Sequence, residues 1–196
     1  VLFRSLEVME IQWKRSSKER PAVLEVFSIV QPVQRAAERQ GLPTLPSFSL
    51  EFGHDVRLSK IQRQILQTIR DKRPRLLVLA FPRTIWSPLQ NLVKPENRRH
   101  ELTLEERRDL EERILKFVET MAMVQDELGG VFVVENPLTS RAWNRGPLDR
   151  LLRKFWHTRS DQCMFGLRHA KDGGLMKKSL RFLSNSRSEE HTSELQ

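Results

Sequence analysis

Glu135 and Asn136 close an unbroken apolar run, Val131–Val134, and lead into Pro137. A carboxylate at the end of a buried strand is costly to leave unpaired. It points either to ligand contact or to a capping or turn role. A second apolar run, Leu76–Ala80, leads into the polar, Pro-containing loop Phe81–Asn91, which carries Pro82, Arg83 and Ser87. Arg83 is permanently charged and is no nucleophile; it can bind a phosphate or simply face solvent. Upstream lie Glu51 and Asp55, acceptors suited to ribose hydroxyls or an adenine amine, although an Asp near a glycine also makes turns. No metal site is expected.

Apolar runs that empty into polar loops are the mark of buried strands in a parallel α/β sheet. Asp161–Gly166 (DQCMFG) is read as a third segment of this form. Ala22–Phe27 is a further strand, followed by a helix from Pro32 through Arg39 that Gly41 closes. Leu45–Leu50, preceded by Pro43 and containing Pro46, is a weaker strand. Ile61, Ile65, Leu66 and Ile69 have helical spacing over Ser59–Arg70. In Thr103–Leu128, Thr103 and Glu106 form a capping box, and Leu110, Ile114, Phe117, Met121 and Leu128 line one helical face. Pro147–Trp156 is a further helix with a basic outer face. Strands alternating with helices predict an α/β, Rossmann-like parallel sheet with helices on both faces. Ligands of such sheets bind outside the carboxyl ends of the strands, where the loops after Phe27, around Glu51–Asp55, at Phe81–Asn91 and at Glu135–Trp143 would gather.

The formal net charge of +9 favours a polyanionic partner, DNA or RNA before a membrane surface. The basic clusters are Arg98–His100, Arg150–Lys154 and Lys177–Arg181. No apolar run approaches the roughly 20 residues of a membrane span. The single cysteine, Cys163, excludes an internal disulfide framework and suits a reducing compartment, nuclear or cytoplasmic. A lone cysteine among apolar neighbours is expected to be a small buried hydrophobe.

Both ends read as translated oligonucleotide. The tail Arg187–Gln196 (RSEEHTSELQ) is what the sequencing adapter AGATCGGAAGAGCACACGTCTGAACTCCAG encodes in one frame, and the reverse complement of its first part, GTGCTCTTCCGATCT, encodes Val1–Ser5. The expected organisation is therefore 1–5 and 187–196 adapter-derived, 6–21 a polar, basic linker, and 22–186 an incomplete domain from a longer polypeptide.

Taken in order, Phe27-Ser28, Gly53–Val56, Phe81–Asn91, Glu135–Pro137 and Asp161–Arg168 resemble the motifs of DNA cytosine-5 methyltransferases, above all the divergent forms embedded in retroelement-like polyproteins. The resemblance covers about Val23 to Ser184 and implies a truncated methyltransferase core. It implies S-adenosylmethionine as cofactor, held near Phe27, Ser28, Glu51, Asp55 and Pro82. The family's Phe-x-Gly-x-Gly turn is broken here, because Ile29, Val30 and Gln31 follow Phe27-Ser28, and its acidic residue before Asp55 falls near Ser49. Its Pro-Pro-Cys pattern lies over Phe81-Pro82-Arg83, so Arg83 stands where the nucleophilic cysteine belongs. Glu135 and Asn136 match the catalytic Glu-Asn-Val, whose glutamate hydrogen-bonds the cytosine edge. Ser87, Gln162 and Arg168 fall at positions near the nucleic acid. The expectation is a degenerate domain without methyl transfer; the alternative is a non-catalytic nucleic-acid-binding module of a mobile-element polyprotein.

Overall fold

A computed structural model describes residues 20–92 and 103–186. The ends read as adapter, most of the linker and the Arg98–His100 cluster lie outside these residues. The described chain forms a five-stranded mixed sheet and four α-helices. The strands are β1 (Val23–Val26), β2 (Leu76–Leu79), β3 (Val131–Pro137), β4 (Trp156–Asp161) and β5 (Ser179–Ser184). The helices are α1 (Pro32–Arg39), α2 (Ser59–Lys72), α3 (Leu104–Glu127) and α4 (Gly146–Lys154).

The spatial order is β1-β2-β3-β5-β4. β1, β2 and β3 are parallel and in register, Val23 beside Leu76 and Leu76 beside Val131. β5 inserts antiparallel between β3 and β4, with Glu135 opposite Phe182 and Trp156 opposite Ser184. The sheet is therefore mixed, not parallel throughout. A parallel return needs a crossover element, usually a helix. The chain between β4 and β5 supplies only a short 3-10 turn and an extended arm.

Side-chain alternation along the strands builds two cores. Leu24, Val26, Leu77, Leu79, Phe132 and Val134 face α2, α3 and α4, whose Ile65, Ile69, Leu115, Met121 and Leu148 fill the larger core. Val23, Leu76 and Val78 face α1 through Val33, Ala36 and Ala37. Helices thus cover both faces, three against one.

Several elements differ from expectation. Leu45–Leu50 is no regular strand. Two isolated parallel bridges, Val23 to Thr44 and Val26 to Phe48, run beside β1, because Pro46 has no N–H to give a ladder. Asp161–Gly166 is not a buried strand either. Asp161 ends the largely exposed edge strand β4, and Gln162–Phe165 is a 3-10 turn. Trp156 opens β4 instead of ending the preceding helix, which stops at Lys154. Leu110 is exposed: α3 meets the core from Ile114 onward, while the neighbouring Arg108 turns inward and is buried. Cys163 is only half-buried.

The capping box forms as expected. Glu106 N–H donates to Thr103 Oγ1 at 3.2 Å and Thr103 N–H to Glu106 Oε2 at 2.6 Å. At the other end, Gly129 takes a φ of +71°. The buried Gln125 amide then donates to the carbonyls of Pro74 (2.7 Å) and Val131 (3.2 Å), tying α3 to the amino ends of β2 and β3. A Cβ on Gly130 would sit 2.0 Å from Gln125 Nε2 and 3.1 Å from the Pro74 carbonyl. Gly130→Ala should therefore cost about 1–3 kcal/mol by overpacking, measured by urea unfolding; a change within error would contradict this packing.

Candidate functional site at the carboxyl edge

The turn after β1 keeps a left-handed backbone without glycine. Phe27 has φ +72° and Gln31 has φ +51°, and Gln31 N–H donates to Ser28 Oγ at 3.1 Å. Ile29 and Val30 project into solvent. The support comes from Glu25, a residue no motif in the sequence marks as functional. Its carboxylate, 1% exposed, accepts from the N–H groups of Gln34 (3.0 Å) and Val33 (3.4 Å). The first-turn amides of α1 are thus already satisfied from within the chain. The available signal was a glutamate inside an apolar strand, Ala22–Phe27.

In the second loop Glu51 is exposed within the 3-10 turn Leu50–Phe52. Asp55 is committed to Arg57, accepting from its backbone N–H (3.0 Å), Nε (2.9 Å) and Nη2 (2.8 Å). The Arg57 hydrogen bonds hold the Asp55 carboxyl below its ordinary range. Between this loop and α1 lies an open groove of roughly 500 Å³ lined by Gln31, Gln34, Ser47, Phe52 and His54.

The third loop is rigidly held. Phe81 and Trp86 are buried, while Pro82 and Arg83 are exposed. Asn136 Nδ2 donates to the Phe81 carbonyl at 2.9 Å. Buried Arg108 donates through Nε to the Ile85 carbonyl at 3.1 Å and pairs with Glu105 at 3.2 Å. Arg145 lies 5.6 Å over the Trp86 ring. Ser87 accepts from Leu89 N–H at 3.3 Å and so stabilises the turn Pro88–Leu92.

At the end of β3, Glu135 and Asn136 point to opposite faces. Asn136, 1% exposed, enters the larger core and positions the third loop. Glu135 is half-buried on the α1 face. Burial pushes its carboxyl above the ordinary value, and the cations of Lys178 and Arg83 oppose that rise. Arg83 and Glu135, distant in sequence, thus follow adjacent parallel strands at one edge, and Lys178 lies near enough to act on the same carboxyl. Trp143 is packed instead of presented: its Nε1 donates to the Pro137 carbonyl at 2.9 Å, and Arg181 lies 5.5 Å over its ring. Gln162 donates its backbone N–H to the Lys178 carbonyl at 3.0 Å, and exposed Arg168 donates to the Gly173 carbonyl at 2.8 Å. No known family model matches the chain, and no curated protein matches it.

Two predictions follow from these contacts. Asn136→Ala should lower stability by about 1–3 kcal/mol through loss of a buried hydrogen bond, read by thermal unfolding; full retention of the melting temperature would remove Asn136 as the anchor of the third loop. Burial raises the Glu25 carboxyl above its unfolded value. Its contribution to stability is therefore fully present below the unfolded value and lost as pH rises through the folded one. Relative to Glu25→Gln, the wild-type protein should lose stability as pH rises above the ordinary carboxylate range. Chemical unfolding at several pH values checks this, and parallel curves would refute it.

Proposed function

We propose that the chain is a degenerate S-adenosylmethionine-dependent DNA cytosine-5 methyltransferase-like domain that no longer transfers methyl groups. The observation carrying this reading is the placement of half-buried Glu135 at the end of β3 and of exposed Arg83 on the loop after the adjacent parallel strand β2, near enough for its charge to act on the Glu135 carboxyl. A carboxyl held partly out of water can hydrogen-bond a base edge. The residue beside it, at the position the resemblance gives to a nucleophile, is a guanidinium without nucleophilic character.

The cofactor fits these residues poorly. Asp55 already serves Arg57, Glu25 already serves the first turn of α1, and positions 29–31 carry side chains in place of glycine. When bound, S-adenosylmethionine would supply an electrophilic methyl group. What the chain's own residues can do is bind: Arg83 and Lys178 for phosphate, Glu135 for an exocyclic amine.

The second reading, a nucleic-acid-binding module without a cofactor, is favoured by the same cations and by the net charge of +9. The domain incubated with labelled S-adenosylmethionine and cytosine-containing DNA should transfer no methyl group. Transfer that Glu135→Gln abolishes would falsify the loss of activity. Salt-dependent DNA or RNA binding with no calorimetric signal for S-adenosylmethionine would favour the second reading.

A further inference from the structure

The chain between β4 and β5, residues 162–178, leaves the sheet as an ordered arm. Its base is closed by Gln162 N–H on the Lys178 carbonyl at 3.0 Å. Its two sides are joined by Met176 N–H on the Leu167 carbonyl (2.9 Å), His169 N–H on the Gly174 carbonyl (2.8 Å) and the bridge between Arg168 and Leu175. The arm contributes nothing to either core. It carries large apolar side chains in water, with Met164 78%, Phe165 49% and Leu175 62% exposed.

Cations stand among these apolar groups. Arg168, Lys171 and Lys177 are exposed on the arm, Lys177 lying 3.9 Å from Asp161, and Lys178 at its base is near enough to Glu135 to act on its carboxyl. Among the described residues, no carboxylate lies within ion-pair distance of Arg83, Arg168 or Lys171. Charge and apolar surface are thus interleaved beside the edge where α/β sheets bind ligands.

We infer that this arm and the adjoining Arg83–Glu135–Lys178 edge form a binding surface for single-stranded nucleic acid. Stacked, paired bases in a duplex offer the arm only their backbone. Unpaired bases offer π-faces to Phe165 and Met164 while the phosphates meet Arg168 and Lys171. An anionic lipid surface would also suit cations beside apolar groups. Glu135 favours the nucleic acid: it repels either phosphate alike, but it can accept from the exocyclic amine of a base. The inference rests on the nucleic-acid side of the proposed function and not on cofactor binding.

Fluorescence anisotropy of the full chain with a labelled mixed-sequence single-stranded DNA, and with the same sequence as duplex, tests it. The single strand should bind about tenfold or more tightly, and binding should fall with salt. Phe165→Ala should weaken single-strand binding by about 5- to 100-fold. Lys171→Ala should weaken both forms and lower the salt slope by about one. Circular dichroism confirms that the variants fold. Equal affinity for duplex, an unchanged Phe165→Ala, or retention of the chain by phosphatidylserine vesicles in place of DNA each overturns the inference. Calorimetry with S-adenosylmethionine separates the two proposals, since failure to bind it counts against the methyltransferase-like reading and leaves the arm untouched.

Discussion

The two-residue period of β3 is the constraint from which the carboxyl edge is built. Because neighbouring side chains point to opposite faces, Asn136 must enter the larger core when Glu135 stays on the α1 face. One residue then fixes the loop from β2, through the Phe81 carbonyl, and the next faces the loop's Arg83. A slip of one residue in the pairing of β3 would exchange these roles and bury the carboxylate. The in-register pairing with β2 on one side and β5 on the other prevents that slip.

Buried polar groups organise the rest of the molecule in the same way. Glu25 holds the start of α1, Gln125 holds the end of α3 against β2 and β3, and Arg108 holds the loop that carries Arg83. Each spends a buried polar side chain on backbone groups that would otherwise be unsatisfied. These loops are therefore positioned by the interior. Their exposed residues, Pro82 and Arg83 above all, can vary without dismantling what supports them.

Much of the architecture was legible from the residues. Continuous apolar runs marked β2 and β3, a short apolar stretch interrupted by Glu25 marked β1, and Thr103 with Glu106 marked the start of α3. Strand direction was not legible beyond β3, because exposed β4 lacks the apolar signature of a buried strand. Nor was the inward turn of Arg108, since a charged residue in a charged helical stretch reads as solvated and only the tertiary fold shows its carbonyl partner. At the candidate site, the placement of Arg83 and Glu135 at one edge was legible because both follow strands whose apolar runs predict a parallel sheet. The engagement of Asp55 by Arg57 and of the α1 amides by Glu25 depends on local geometry that residue types alone do not fix.

The position of β4 at the end of the strand order has a consequence for how the protein behaves in company. Its outer row of backbone donors and acceptors is a template on which a foreign strand can register. The strand is six residues long, and Trp156 offers such a visitor an apolar foothold. Opposing this, Arg159 is locked to Asp161 at 2.9 Å on the same strand, placing paired charge where a flat hydrophobic partner would have to settle. A foreign strand approaching this border therefore meets paired charge beside the strand's one large apolar group.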